Sequence, residues 1–391
     1  MAALIVVSSH CMIWSNWYGV NLPSAKLAVD IFMVLSGFLM AFNAIQRNEQ
    51  EPIDAKKSWV IFYVRRYFRL APVYYFALII VALFSVHIVH GFEILSARIP
   101  GMNESIYSPR YAADYSFLNI LLHATFLFGF LPDRVLSTAL PDWSLGLEMQ
   151  FYLLFPFIYL LLRRYGYITI TTILTVLCVM VTLWFAKLDG IRGSIGLFPE
   201  PSFILLKLPV FLIGILICDA NIRKDITMKQ RISMYILAFA LIRTDVFLYP
   251  YFRQEIWWLI IPPALMIFLI SDFPVFQTSR EIINRLLDNK FFTFMSEASY
   301  SVYLLHGLFI SLIGGCLYSN SWFINLNAPY QTLILWLGVL TSSYTSACIV
   351  NKHIEKPGIL YGKYLIIRLQ SNKWFLHKGI REPGIRNGLN F

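Results

Sequence analysis

The sequence predicts an all-α membrane protein, a bundle of about ten transmembrane helices with both termini in the cytoplasm. Hydrophobic residues make up 58% of the 391 residues, and charged residues make up only 14%. A soluble domain carries charge at about a quarter of its positions. The apolar residues are gathered into long runs, and a helix needs roughly 20 such residues to cross the hydrocarbon layer of a bilayer.

Each of ten apolar runs is predicted to form one transmembrane helix. The runs are residues 1–14, 27–45, 73–92, 143–162, 167–186, 202–219, 232–249, 255–272, 296–318 and 330–350. Residues 115–131 are also apolar, but counting them as a span would place every later basic loop on the outer side of the membrane. An interfacial or re-entrant segment on the outer side is therefore expected. Residues 59–71 mix apolar residues with arginines, a pattern typical of an amphipathic helix on the inner membrane surface.

The distribution of Lys and Arg predicts the topology. Basic residues collect in the loops after the even-numbered runs, as with Arg163 and Arg164 after the fourth run. The positive-inside rule places these loops in the cytoplasm, which predicts a multi-pass protein of the inner (plasma) membrane. The net charge of +10 is then explained by membrane lipids and topology, with no nucleic acid as a partner. The expected domains are a transmembrane domain, 1–352, and a basic cytoplasmic tail, 353–391.

Ionisable residues inside the apolar runs are the candidates for function, because each costs several kcal/mol in a bilayer. His10 lies in the first run, Asp30 in the second, Glu148 in the fourth and His306 in the ninth. With about 1.5 Å of rise per residue, the predicted topology puts His10, Asp30 and Glu148 at a similar depth near the outer surface. An imidazole held by a carboxylate is a competent general base. The five cysteines form no CxxC pair, so no metal site is indicated.

Each of these residues also has a structural alternative. His10 could be a hydrogen-bonded core residue, and Asp30 and Glu148 could face the positive ends of their helices. Arg66 and Arg69 could anchor the protein to lipid phosphates. Other polar residues in the runs are expected to pack, snorkel or pair and are given no role: Tyr300, Lys207 and Arg243.

Seven segments, taken in order, resemble acyltransferase family 3, the membrane O-acyltransferases that modify O-antigen, exopolysaccharides and similar surface glycans. They are HCMIW (10–14), AVDIFMVLSGFLM (28–40), FYVRRYFRLAPVYY (62–75), WSLGLEMQFYLLFPFI (143–158), LPVFLIGILI (208–217), SYSVYLLHGLFI (299–310) and IEKP (354–357). Single segments are weak signals, but the seven together cover nearly the whole chain. The family is understood as a ten-helix bundle, which agrees with the count of apolar runs.

The resemblance implies roles for individual residues. His10 matches the histidine taken as the catalytic base, and Asp30 and Glu148 are expected to orient it. Arg66 and Arg69 match paired arginines thought to meet the acyl-CoA donor. Further positions match family motifs and are expected to support the site or the substrate: Ser36, Trp143, Ser144, Tyr152, Tyr303 and His306. Glu355 and Pro357 match the family's closing motif and are given no role.

The expected activity is transfer of an acyl group from cytoplasmic acyl-CoA to a hydroxyl of a surface or lipid-linked glycan. The resemblance favours acetyl-CoA as the donor, because acetyl is the group that the family transfers most often. No metal is expected to take part. Direct transfer and an acyl-histidine relay both remain open. The alternatives are a transporter or flippase for a lipid-linked glycan and an inactive family member. The family's arginine about three turns before the histidine would precede Met1, so either the natural start lies upstream or the first turns are lacking.

Overall fold

The computed structural model describes residues 2–99, 114–189, 198–248, 255–270 and 277–371, and within these ranges the chain is helical, without strands. The helices are α1 (Ala2–Trp14), α2 (Ala25–Gln46), α3 (Lys56–Leu83), α4 (Ser85–Ser96), α5 (Phe117–Ala124), α6 (Trp143–Tyr165), α7 (Tyr167–Asp189), α8 (Ile204–Ile222), α9 (Met228–Leu248), α10 (Ile256–Ile270), α11 (Gln277–Leu287), α12 (Lys290–Tyr318), α13 (Ser321–Ile324), α14 (Ala328–Val350) and α15 (Lys356–Ser371). Met1, Tyr249 and residues 271–272, at the ends of predicted spans, lie outside the described residues, as does the tail segment 372–391.

Long apolar helices dominate the described ranges and confirm the prediction of an all-α membrane protein. Within those ranges, seven helical stretches are long and apolar enough to cross a membrane. Two predicted spans coincide with shorter apolar helices, Ala2–Trp14 and Ile256–Ile270. Length and apolar composition therefore establish a multi-pass protein, while the count of about ten spans and the position of the termini stay predictions.

Helix α3 corrects the prediction that residues 59–71 form a separate surface helix and that the next span covers 73–92. The chain is one continuous helix from Lys56 to Leu83, and the break falls at Phe84. Pro72 lies inside this helix without ending it. The arginines that suggested a surface location instead contact carboxylates or line an internal cavity, as described below.

The predicted boundary at residue 352 falls inside a helical stretch. Residues Asn351–Glu355 form a turn of π-helix that joins α14 to α15. A β-carbon at Gly358 or Gly362 would collide with the side chain of Pro72 or Phe68, respectively, so the two glycines let α15 lie directly against α3. The described part of the tail is thus packed onto the bundle, because small residues allow close helix contact.

The segment predicted to be interfacial or re-entrant forms short elements that cannot cross a bilayer. Helix α5 has eight residues, and 3₁₀ turns follow at Leu127–Phe130 and Pro132–Arg134. A fully buried network fixes this segment to the start of α6. The Asp142 carboxylate accepts hydrogen bonds from the Tyr74 hydroxyl (3.0 Å) and Thr138 (3.1 Å) and lies 2.9 Å from Nδ1 of His123.

Helices α2 and α8 make a close crossing in the centre of the bundle. A β-carbon at Gly37 would meet the carbonyl of Phe211, and one at Gly214 would meet the carbonyl of Val34. The glycine of the Ser36-Gly37-Phe38 motif is therefore needed for helix packing. Ser36, the residue before Gly37, donates a hydrogen bond to Glu148 on α6.

Candidate active site

His10 on α1 and His306 on α12 form a hydrogen-bonded pair across 296 positions of sequence. Nδ1 of His10 lies 2.8 Å from Nε2 of His306, and the rings stack with centroids 5.0 Å apart. Nδ1 of His306 lies 2.5 Å from the backbone carbonyl of Tyr303. His306 is buried, whereas His10 is only partly so. The predicted base therefore has a defined partner, and that partner is an imidazole.

The hydrogen bonds define the tautomers when both rings are neutral. A carbonyl oxygen can only accept, so Nδ1 of His306 carries a proton and donates to Tyr303. Nε2 of His306 then holds a lone pair and accepts from Nδ1 of His10. The second nitrogen of His10, Nε2, consequently carries the lone pair that a general base requires.

A cavity of about 360 Å³ lies between α2, α3, α6 and α12, within the range of about 300–1,000 Å³ typical of small-molecule sites. Seven of the predicted site residues line it: Ser36, Arg66, Arg69, Ser144, Glu148, Tyr152 and Tyr303. Most of the remaining lining is apolar. On α2 the lining extends from Val29 to Met40, roughly 16 Å along the helix axis. The shape suits an elongated ligand with a polar end.

Tyr303 forms the wall between the cavity and the histidine pair. It lines the cavity, and its ring centroid lies 5.9 Å from that of His306. Its hydroxyl donates to the carbonyl of Pro141 (2.8 Å). Because a phenol has one proton, Ser144 must be the donor in the 2.7 Å bond between its hydroxyl and that of Tyr303. The cavity thus ends one helical turn from His306.

Glu148 is the carboxylate inside the cavity. Its Oε1 accepts hydrogen bonds from the hydroxyls of Ser36 (3.1 Å) and Tyr152 (2.5 Å). The structure therefore gives Glu148 two hydroxyl partners from predicted motifs. The expectation that Glu148 orients His10 is not supported by this placement, because His306 takes that position.

The basic cluster on α3 divides into three different environments. Arg65 makes a bidentate ion pair with Glu51 (2.9 and 2.7 Å) and does not line the cavity. Arg69 lines the cavity and donates to Glu355. Arg66 lines the cavity with its guanidinium 5.8 Å from the ring centres of both Phe62 and Tyr152, and its Nε is buried without a hydrogen-bond partner. Among the described residues, no carboxylate lies within ion-pair distance of Arg66.

Asp30 occupies a different environment from the one predicted. Its Oδ2 lies 2.8 Å from Nζ of Lys207 on α8, and the same Nζ lies 3.0 Å from Oδ1 of Asp245 on α9. These three side chains are at most 2% exposed. The assignment of Asp30 as the carboxylate that orients His10 is therefore corrected: Asp30 belongs to a buried ion triad that joins α2, α8 and α9.

Trp143 is buried at the first turn of α6 and does not line the cavity.

Two features of the structure were given no role from the sequence: the ion triad of Lys207 and the contact of Glu355 with Arg69. Pairing was expected for Lys207, but its partners lie on other helices, at positions that local pattern does not connect. Among the described residues, no group of His, Cys, Asp and Glu could hold a metal ion.

Comparison with known proteins bears on what this arrangement does. A family model described as an acyltransferase domain, that of acyltransferase family 3, matches residues 1–350. O-acetyltransferase OatA of Staphylococcus aureus is 26% identical over 350 residues, which are 86% of this chain and 53% of that protein. Peptidoglycan O-acetyltransferase OatA of Listeria monocytogenes is 31% identical over 143 residues, 36% of this chain and 21% of that protein.

A third relative, Regulator of hypoxia-inducible factor 1 of Caenorhabditis elegans, is 32% identical over 161 residues, 40% of this chain and 28% of that protein. The chain thus spans about half the length, or less, of these curated relatives. No solved structure gives a significant match.

Proposed function

Because the chain belongs to the acyltransferase family whose model matches residues 1–350, we propose that it is an integral membrane O-acyltransferase. It would move an acyl group from acyl-CoA to a hydroxyl of a surface or lipid-linked glycan. Family membership confirms the resemblance found in the sequence. Two relatives are named O-acetyltransferases, one of them of peptidoglycan, and this supports acetyl as the group and a glycan as the acceptor.

The observation that carries the proposal is the cavity that has two arginines among its lining residues and ends one helical turn from the histidine pair. Guanidinium groups suit the phosphates of acyl-CoA, and the apolar lining suits the uncharged arm that bears the thioester. In the topology predicted from the loops, Arg66 and Arg69 face the cytoplasm, where acyl-CoA is made. The donor would enter from that side of the plasma membrane.

His10 would act as the general base. Its Nε2 lone pair, set by the hydrogen bond to His306, would take the proton of the acceptor hydroxyl while that oxygen attacks the thioester carbonyl. Collapse of the tetrahedral intermediate would break the carbon–sulfur bond. The CoA thiolate would leave and recover the proton from the His10 imidazolium, so the enzyme returns to its starting state.

Tyr303 would have to move for the acyl group to reach His10, because its ring and its hydrogen bonds to Ser144 and Pro141 close that end of the cavity. Glu148 would stay in the cavity wall, where its carboxylate holds the hydroxyls of Ser36 and Tyr152. The closed position of Tyr303 would keep the thioester apart from His10 until the ring moves.

The test uses membranes that contain the full chain, radiolabelled acetyl-CoA and a panel of glycans. Wild-type protein should leave label on a glycan, and His10→Ala should reduce that rate by about 10²–10⁴-fold, the contribution of a general base. His87→Ala, at an exposed histidine on α4, is the matched control and should retain wild-type turnover. Full turnover by His10→Ala would refute the assignment.

The same assay separates the other functions that remain. A transporter or flippase for a lipid-linked glycan would move the glycan across vesicles without labelling it. An inactive family member would do neither, even with membrane insertion intact.

A further inference from the structure

Glu355, in the IEKP segment, has no role in the proposed reaction, although its carboxylate contacts a residue of the donor cavity. It lies in the π-helical turn Asn351–Glu355. Its Oε1 accepts from Nη1 of Arg69, while its Oε2 accepts from Ser301 (3.3 Å) and Asn351 (3.2 Å). π-helical turns are rare and are frequently found at functional sites.

Glu355 and Arg69 differ in burial and in how many of their polar atoms the contact uses. Glu355 is 1% exposed and both of its oxygens are engaged, so the carboxylate is fixed. Arg69 is 37% exposed, lines the cavity and uses only Nη1 in this pair. A guanidinium has five N–H donors in a rigid fork, so the remaining donors are available at the cavity wall.

We propose that Glu355 is a positioning residue that holds the guanidinium of Arg69 in the wall of the cavity, oriented toward the phosphates of the acyl-CoA donor. This inference rests on the proposed function, because it assumes that the anion in the cavity is acyl-CoA. The packing of α15 against α3 places the π-helical turn beside Arg69. The tail helix would thereby contribute to donor binding without touching the donor.

A purely structural role, in which the ion pair only clamps α3 to the π-helical turn, makes different predictions. The full chain would be purified in nanodiscs and titrated with acetyl-CoA, with thermal stability measured in parallel. Glu355→Ala should raise the Kd for acetyl-CoA at least about tenfold, as expected for loss of a charge-assisted contact. The kcat at saturating acetyl-CoA should stay within about threefold of wild type.

Two further variants keep the result interpretable. Glu355→Gln preserves the shape and one acceptor, and should weaken binding about threefold or more even if the alanine variant does not fold. Glu51→Ala is the matched control, since it breaks another arginine–carboxylate pair on α3, that of Arg65, away from the cavity. It should leave the Kd within about twofold of wild type.

The double variant Arg69→Glu/Glu355→Arg distinguishes an ion pair that only joins α3 to the π-helical turn from one that positions the Arg69 guanidinium for the donor. It can re-form the ion pair and should recover thermal stability, but it places a carboxylate at the cavity wall and should not recover acetyl-CoA binding. Recovery of binding, or wild-type Kd values in both Glu355→Ala and Glu355→Gln, would overturn this inference alone. Absence of acetyl-CoA binding by wild-type protein would overturn the proposed donor together with it.

Discussion

Replacing Lys207 with Met should destabilise the protein by about 3–5 kcal/mol, the cost of removing one partner from a buried ion pair. Its ammonium lies 2.8 Å from Asp30 and 3.0 Å from Asp245, and the three side chains are at most 2% exposed. At an effective dielectric constant of about 20, Coulomb's law gives roughly 6 kcal/mol for each contact. Desolvation of the three groups offsets much of this, which is why the measured loss should be smaller than the sum.

The assay is unfolding in detergent micelles by titration with SDS, followed by tryptophan fluorescence. Lys356→Met is the matched control because it breaks an exposed pair with Glu297 at a similar distance (3.0 Å), which is expected to contribute about 0–1 kcal/mol. The triple variant Asp30→Asn/Lys207→Met/Asp245→Asn removes every charge and should regain most of the lost stability. A loss below 1 kcal/mol in Lys207→Met would refute the reasoning, as would a triple variant that is no more stable than Lys207→Met.

Three further predictions follow from the same structure. Glu148→Gln removes the one carboxylate among the described residues that line the cavity, and it should lower acyl transfer at least about tenfold. The free energy of unfolding should change by less than about 1 kcal/mol; wild-type turnover would contradict this prediction. Tyr303→Phe removes a hydroxyl with two hydrogen bonds and should cost about 1–2 kcal/mol in the same unfolding assay, an expectation that an unchanged midpoint would exclude. The backbone N–H of Ser116, with help from the Arg134 guanidinium, lowers the pKa of Asp114 below its ordinary 3.8, so its stabilisation is full at pH 7 and is lost as the pH falls through the folded pKa. Asp114→Asn should therefore cost at most about 1 kcal/mol at pH 7 and progressively less as the pH falls through the folded pKa; a larger cost in acid would reverse the sign.

Run length and composition were enough to predict the helices. Every predicted span overlaps a helix of the described chain, because roughly 20 apolar residues leave a backbone in lipid no alternative to internal hydrogen bonding. The same criterion failed at α3, where arginines and Pro72 suggested a surface segment. Local composition does not reveal that Glu51 and Glu355 neutralise two of those arginines, since Glu51 lies in the loop before α3 and Glu355 lies 286 positions from Arg69.

The site was predictable in its members but not in their pairing. Depth along a helix can be estimated from sequence, and it predicted that His10, Asp30 and Glu148 lie at a similar level of the bundle. Direction around the helix axis changes by 100° per residue, so equal depth does not imply contact. Asp30 turns toward Lys207 on α8, and His10 toward His306. The three-residue spacing of Tyr303 and His306 puts these two side chains on one face of α12, but it does not indicate His10 as the partner of His306.

Several buried or half-buried cations of the described bundle are held in ion pairs, and Arg66 differs from them. Arg65 is paired with Glu51, Arg69 with Glu355, and Lys207 with two aspartates. Arg66 contacts aromatic rings and leaves its Nε buried without a hydrogen-bond partner, inside the cavity. An ionised group held in a membrane bundle costs several kcal/mol, and the negative charge of Glu148, which lines the same cavity, offsets part of that cost for Arg66. Because Arg65 and Arg69 already make close ion pairs with carboxylates and Arg66 does not, Arg66 is the position at which an anionic donor gains the most from entering the cavity.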